Sequence, residues 1–292
     1  MKMMKSEEKL TLAGVVRSAA AHLAECGVEN AEYDSFALMS AVNGMDRTYY
    51  LVHGRDSVKQ EEYERFAEYV RRRCGREPLQ HILGKAYFFG HEFKVNSNVL
   101  VPRPDTEILV EEALKVIENG SVVLDMCTGS GCIILTLALE KHLKRGIGVD
   151  ISAEALKVAE QNRKSLLAEN VDFVLSDLFE NVEECFKAGE KADMIVSNPP
   201  YIPTAVINGL SDEVRLHDPM IALDGHDDGL YFYRKITSQA AAHLKSGGYL
   251  LYEIGHDQSE QVEKLMNEAG FEEVSTVKDL AGLDRVVKGR LR

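Results

Sequence analysis

No apolar run in the 292 residues approaches the ~20 that a helix needs to cross a bilayer. The start, MKMMKSEEKL, has no apolar core of a secretory signal and turns acidic too early for a transit peptide. Cysteine is sparse: Cys26, Cys74, Cys127, Cys132 and Cys185 in a chain this long make no disulfide framework. Cys127 and Cys132 are spaced C-x4-C without a second pair, which argues against zinc or any other metal site. The expectation is a cytoplasmic protein with free, mostly buried thiols. Cations are outnumbered: Lys plus Arg total 34 against 47 Asp plus Glu, a net charge of −13. A surface that coats nucleic acid needs cations to displace phosphate counterions, so this balance disfavours one while allowing a local basic patch. Internal repeats and low-complexity segments are missing too.

What is present is ordinary globular composition, 45% hydrophobic and 28% charged. The length suggests about two domains. Residues 1–75 read as helices. Leu12, Val15, Val16, Ala19, Ala20 and Leu23 share one helical face, with Gly27 as a stop. Tyr33, Ala37, Leu38 and Ala41 make a second stripe, and Val58, Phe66, Tyr69, Val70 and Cys74 a third. Residues 76–103 carry Pro78, Gly84, Gly90 and Pro102, with two short strand-like runs around Gly90–His91, a hairpin linker. From 104 to 292 helices alternate with strands at 122–126, 146–151, 171–176, 193–197 and 249–254. Two consecutive strands, 273–278 and 284–289, close the chain. The alternation predicts an α/β fold, a parallel sheet with helices on both faces, and an antiparallel pair at its edge.

The first of those strands runs as VVLDMC into TGSGCI, residues 122–133. Strand, glycine turn and helix start form a ligand-binding unit, because Gly129 and Gly131 let the backbone approach and the helix N-terminus presents free N–H groups. A dinucleotide loop would place a third glycine where Ile134 stands. Asp125-Met126-Cys127-Thr128-Gly129-Ser130-Gly131 resembles instead the D-x-G-x-G-x-G loop of S-adenosylmethionine-dependent methyltransferases, with Cys127 in place of the first glycine. Asp150 ends the next strand, 19 residues after Gly131, where a carboxylate can accept both ribose hydroxyls. Asp177 stands where such methyltransferases contact the adenine amino group, and Leu178 would pack on the adenine face.

A later strand, ADMIVS, ends in Asn198-Pro199-Pro200-Tyr201. At the carboxyl end of a parallel strand these residues reach the ligand crevice of an open sheet. They suit a planar nitrogen bearing hydrogens. The Asn198 side-chain oxygen can accept one N–H, the Pro199 carbonyl the other, and proline offers no competing donor. Tyr201 can pack over the planar group. Adenine, cytosine and guanine amino groups qualify, and so does a glutamine carboxamide.

PLQHILGKAYFFGHEFKVNSNVLVPRPDTEILVEEAL (78–114), VLDMCTGSGCI (123–133), VSNPPYI (196–202), ALDGHDDGL (222–230) and GGYLLYEIGHDQ (247–258) occur in this order. Together they resemble the release factor glutamine methyltransferases, the HemK/PrmC family. The resemblance implies a seven-stranded, Rossmann-like class I methyltransferase domain (104–292), a hairpin linker (76–103) and an N-terminal helical bundle (1–75) that docks the substrate. It implies methyl transfer from S-adenosylmethionine, leaving S-adenosylhomocysteine, to the glutamine of the Gly-Gly-Gln tip of peptide chain release factors. Cys127 to Gly131, Asp150, Asp177, Leu178 and Asn198 would line the cofactor. Asn198 to Tyr201 would hold the glutamine, with Phe89, Arg103 and Thr106 walling the site. Release factors are the expected partners of a monomer that needs neither nucleic acid nor membrane. The chain departs from the family pattern at His217-Asp218-Pro219, where Glu-Pro is usual, and at Gly225-His226, where Gly-Gly is usual.

Overall fold

The computed structural model describes residues 10–186 and 189–292. The opening nine residues, read above for targeting signals, lie outside them. The chain divides into two units: residues 10–84 with 212–217, and residues 85–211 with 218–292.

The first unit holds helices α1 (Leu12–Glu25), α2 (Ala31–Asn43), α3 (Arg47–His53), α4 (Gln60–Cys74) and α5 (Leu79–Leu83). The Thr11 hydroxyl accepts from Gly14 N–H and starts α1; Asp46 does the same for α3 through Tyr49 N–H. The α1 stripe is buried as the sequence predicts at Leu12, Val15, Val16, Ala19 and Leu23. On α2 the expected stripe is misplaced. Tyr33 and Ala41 face solvent, and Asp34, Ser35, Leu38, Met39 and Val42 face the core. Two polar residues occupy that core face because each has a partner there. Ser35 donates to the Val16 carbonyl at 2.7 Å, and Asp34 pairs with Arg73 at 2.7 Å. Arg73 also pairs with Glu213 at 2.9 Å, which fastens the 212–217 segment to this unit. Cys26 and Cys74 are joined as a disulfide, their Cα atoms 5.3 Å apart, so the expectation of free thiols fails for this pair. Their 48-residue separation hid a contact that forms only when the ends of α1 and α4 meet.

The second unit opens with a hairpin, β1 (Lys85–Phe88) and β2 (His91–Lys94), which pairs within this unit. Helix α6 (Pro104–Val116) follows, with Pro104 at its first turn. Then come β3 (Val122–Met126), α7 (Cys132–Glu140), β4 (Arg145–Asp150), α8 (Ala153–Leu166), β5 (Val171–Leu175) and β6 (Ala192–Ser197). The stretch after β6 holds α9 (Thr204–Ile207) and α10 (Asp212–His217), the helix that belongs to the first unit. Helix α11 (Tyr231–His243), β7 (Leu244–Glu253), α12 (Ser259–Glu268), β8 (Phe271–Lys278) and β9 (Asp284–Leu291) complete the fold.

Seven strands form one sheet in the order β5-β4-β3-β6-β7-β9-β8, with β9 antiparallel to both neighbours and the rest parallel. Strand β3 is buried along its whole length, as a central strand covered on both faces must be. Successive residues serve opposite faces. Val123, Leu251 and Val286 pack with α6 and α7 residues such as Leu109, Ile133 and Leu137. Leu124, Leu250 and Val287 pack with Tyr233, Ile236, Val262 and Met266 of α11 and α12. The chain leaves β3 toward β4 on one side and returns at β6 on the other. This reversal opens a crevice at the carboxyl ends of β3 and β6.

Candidate active site

A cavity of about 320 Å³ lies in that crevice, within the size range of small-molecule sites. Its floor is the loop after β3. Cys127, Gly129 and Gly131 all have left-handed φ values of 61°, 54° and 79°. Glycine adopts that region freely, and Cys127 adopts it at a steric cost. The loop is tied from below. Thr128 N–H donates to the Val149 carbonyl at 2.9 Å, and the Thr128 hydroxyl donates to Asp125 Oδ2 at 2.5 Å. Asp125 is fully buried, and burial pushes its carboxyl up to about 7. Asn162 on α8, also without exposure, donates to the Ser130 carbonyl at 2.9 Å and the Lys94 carbonyl at 3.1 Å. It accepts from Lys94 N–H at 2.7 Å.

Asp150, at the end of β4, accepts from Gly129 N–H and from Ser152 N–H, each at 2.8 Å and each on a different oxygen. Burial raises its pKa and these backbone donors oppose the rise. Each oxygen keeps a lone pair, so the carboxylate can take two hydroxyls of a ligand. Asp177 and Leu178 line the same cavity, joined by Val99, Leu100, Ile133, Val149 and Ile151. Apolar walls around one carboxylate pair suit an adenosine-like group. A Cβ on Gly129 would meet nothing within 4 Å, so the loop backbone borders open space there. The residues therefore fit S-adenosylmethionine. The Cys127 thiol is held far above its ordinary pKa, by burial first and then by Asp150 and Asp125, so it stays protonated.

Asn198 and Pro200 line the cavity where β6 ends; Pro199 and Tyr201 are not part of its lining. Ser197 Oγ donates to the Met126 carbonyl at 2.7 Å and locks the ends of β6 and β3 together. Asn198 Nδ2 donates to Thr106 Oγ1 at 3.3 Å, which turns Oδ1 away from that hydroxyl. The Tyr201 hydroxyl reaches Glu253 Oε1 at 3.5 Å. The Tyr201 carbonyl accepts from Gln258 Nε2 at 3.0 Å, and the same amide also reaches the Gly229 carbonyl at 3.3 Å. Gly225 and Gly229 press on this turn, since a Cβ on either would lie within 2.8 Å of Tyr201 backbone atoms.

Of the residues the sequence selects, Arg103, Thr106, Cys127, Thr128, Gly129, Ser130, Asp150, Asp177, Leu178, Asn198 and Pro200 converge on one cavity. Gly131 sits beneath it as the N-cap of α7. Phe89 lies outside the lining; its N–H donates to Glu107 at 2.7 Å and it packs on the sheet-face core. Sequence reasoning missed the wall of Asn98, Val99, Leu100 and Pro102, then Ile151, Ser152, Ile221, and the aromatic group of His226, Tyr231 and Phe232. It also missed Asn162, Gln258 and Glu253. Both departures from the family pattern acquire a place. Asp218 pairs with Arg103 at 2.7 Å at the cavity rim. His226 has a φ of 65°, a conformation that suits the glycine usual there and that histidine visits more readily than most residues.

The strand order, with the loop after β3 and the turn after β6 around one cavity, defines a class I methyltransferase. A family model for the PrmC N-terminal domain matches residues 15–84, and a methyltransferase-domain model matches residues 117–283. The chain is 41% identical to the release factor glutamine methyltransferase of Geobacter sulfurreducens over 289 residues, 99% of this chain and 100% of that one. It is 39% identical to the enzyme of the same name from Caulobacter vibrioides, over 96% of each chain. A solved protein-(glutamine-N5) methyltransferase (release factor-specific) from Alicyclobacillus acidocaldarius is 32% identical, over 68% of this chain and 99% of that one, with a TM-score of 0.42. The chain belongs to the release factor glutamine methyltransferase family.

Proposed function

We propose that this enzyme methylates the side-chain amide nitrogen of the glutamine in the Gly-Gly-Gln tip of peptide chain release factors, with S-adenosylmethionine as donor, in the cytoplasm. In that reducing compartment Cys26 and Cys74 would stand as two thiols. The observation that carries the reading is the setting of Asn198 at the cavity: Thr106 takes its Nδ2, which leaves Oδ1 as an acceptor.

S-adenosylmethionine, when bound, supplies an electrophilic methyl group on a sulfonium sulfur. Asp150 would hold the ribose hydroxyls, Asp177 the adenine amino group, and Ile151 and Leu178 the adenine faces. The Asn198 Oδ1 and the Pro199 carbonyl would accept the two amide hydrogens of the glutamine, fixing its nitrogen and drawing electron density onto it. The Tyr201 ring would cover the planar amide. Positioning of this kind is worth ~7–11 kcal/mol of a barrier. No strong base is needed, because the methylated amide becomes acidic and sheds its proton. The apolar walls would limit water around the reacting groups.

The helical unit would dock a second face of the release factor, since a three-residue tip alone supplies few remote contacts. The test is mass spectrometry of a release factor after incubation with enzyme and cofactor. One methyl group on the Gly-Gly-Gln glutamine is the expected result. Methyl transfer to duplex DNA or ribosomal RNA, with none to the release factor, would overturn the reading.

A further inference from the structure

We infer that Gln258 is a positioning residue for methyl transfer: its side-chain amide clamps the Asn-Pro-Pro-Tyr turn to the 222–230 loop, so that the turn and the cavity wall carried by that loop keep one fixed spacing. The inference rests on the reading of Asn198 to Tyr201 as the holder of the substrate amide.

The arm has a fixed base. Gln258 is the N-cap of α12; its N–H donates to the Gly255 carbonyl at 3.0 Å, and its carbonyl accepts from Val262 N–H at 3.0 Å. Val262 is fully buried in the core beneath α11 and α12. The side chain is only 7% exposed, and both ends of its amide are engaged. Oε1 accepts from Gly255 N–H at 3.0 Å and lies 3.4 Å from the Tyr233 hydroxyl. Nε2 carries two hydrogens and faces two carbonyls, Tyr201 at 3.0 Å and Gly229 at 3.3 Å. Donors on one side and acceptors on the other suit one orientation of the amide and oppose the flipped one.

The two carbonyls belong to irregular segments that no strand ladder holds. Pro199 and Pro200 have no N–H, so the turn must be tied through carbonyls and side chains. Beyond it the two segments are stitched by backbone bonds. Ile202 N–H donates to the Leu223 carbonyl at 3.1 Å, Gly225 N–H to the Ile202 carbonyl at 2.8 Å, and Thr204 N–H to the His226 carbonyl at 3.0 Å. The Gln258 bond carries this seam one residue closer to Pro199, whose carbonyl would accept an amide hydrogen. Its other bond holds Gly229, which lies in the chain between His226 and Tyr231; both line the cavity, with ring centroids 4.3 Å apart. The packing is tight enough to need glycine. Gly229 has a φ of 73°, and a Cβ there would collide with the Tyr201 carbonyl oxygen and lie 2.6 Å from Gln258 Nε2. One amide thus fixes the substrate turn and the aromatic wall relative to each other.

The test is Gln258→Met in the full chain with an intact release factor. Methionine keeps the length of the arm and loses both donors. The single-turnover rate, counted per enzyme that binds cofactor, should fall by about tenfold or more, because misplacement of about 1 Å at a reacting centre costs up to about 10²-fold. Cofactor Kd and release factor KM should stay within threefold, since Gln258 touches neither Asp150 nor the glycine loop. A general loss of stability would shrink the number of binding enzymes rather than the rate of each. Hydrogen exchange read by mass spectrometry should speed up at the Ile202, Thr204 and Gly225 amides and keep wild-type protection in β3 and β4. Gln258→Asn, a shorter donor, should recover part of the rate. Should Q258M not fold, Gly229→Ala forces the same carbonyls apart and should give the same split. Wild-type rate per binding enzyme in a folded Q258M overturns the inference, and so does a rate loss with unchanged exchange; both leave the proposed function standing. Wild-type rate in Asn198→Ala would instead remove the reading on which it rests.

Discussion

Asn162 Nδ2 donates to the Ser130 carbonyl at 2.9 Å, so a buried side chain on α8 holds the loop that forms the cavity floor. The same side chain clasps both backbone groups of Lys94 on β2. The hairpin, α8 and the glycine loop are thereby one hydrogen-bonded unit. Asn162→Ala takes the partner from the buried Ser130 carbonyl and from the part-buried carbonyl and N–H of Lys94, and should destabilise the protein by about 1–3 kcal/mol. It should also weaken cofactor binding, because Ser130 is no longer held. Urea unfolding and calorimetric titration read the two effects; unchanged values in both would show the clasp to be incidental.

The Asp150→Ala change should weaken S-adenosylmethionine binding by roughly 2–3 kcal/mol, since two hydroxyl bonds to a charged acceptor are lost. Near wild-type affinity in titration would take Asp150 out of the ribose site. Cys127→Gly makes the opposite kind of test. At a φ of 61° the substitution relieves steric strain of about 1 kcal/mol, and cofactor affinity should be retained. A collapse of binding would assign the thiol a role that its protonated state does not suggest.

Asn198→Ala should slow methyl transfer by about 10²-fold or more, the scale of an acceptor lost at a reacting centre. Single-turnover rates within threefold of wild type would refute its role. Tyr201→Phe should cost much less, because its hydroxyl reaches Glu253 only at 3.5 Å while the ring does the packing.

Much of this site was legible in sequence because its parts are local. The glycine loop, Asp150, Asp177 and Asn-Pro-Pro-Tyr each sit at a strand end, and strand ends in a parallel sheet share one edge. Asn162 carried no such signal: it is a polar residue in a helix whose partners lie 32 and 68 positions away. Glu253 and Gln258 sit in the stretch GGYLLYEIGHDQ, quoted for resemblance alone, and partners such as Tyr201 and Gly229 lie 29 to 57 positions away. The α2 stripe was misplaced for a related reason. Hydrophobic periodicity counts Asp34 and Ser35 as solvent-facing, while Arg73 and the Val16 carbonyl make both buriable.

Asp125 gives a pH-dependent test of stability. Its carboxyl is raised from 3.8 to about 7 by burial, so between those values the folded state holds a proton that the unfolded state has lost. Its contribution therefore falls as pH rises through this window and is level above about 7, by at most several kcal/mol. Asp125→Asn removes the titration. The stability of wild type relative to D125N should drop between pH 5 and pH 8 in urea unfolding. A constant difference would show that Asp125 is ionised throughout.

The helical unit supplies the last test. Removing residues 1–84 should leave cofactor binding nearly intact, because every residue lining the cavity belongs to the second unit. It should lower kcat/KM on an intact release factor at least tenfold while leaving a Gly-Gly-Gln peptide at its already poor rate. The cut also takes Arg73 from Glu213 and exposes α10. Glu213→Gln in the full chain controls for that loss, since it breaks the ion pair and keeps the unit. If truncation lowers the rate on protein and E213Q does not, the effect belongs to docking. Equal rates of the full and truncated enzymes on intact release factor would refute a docking role for these helices and leave the chemistry at Asn198 untouched.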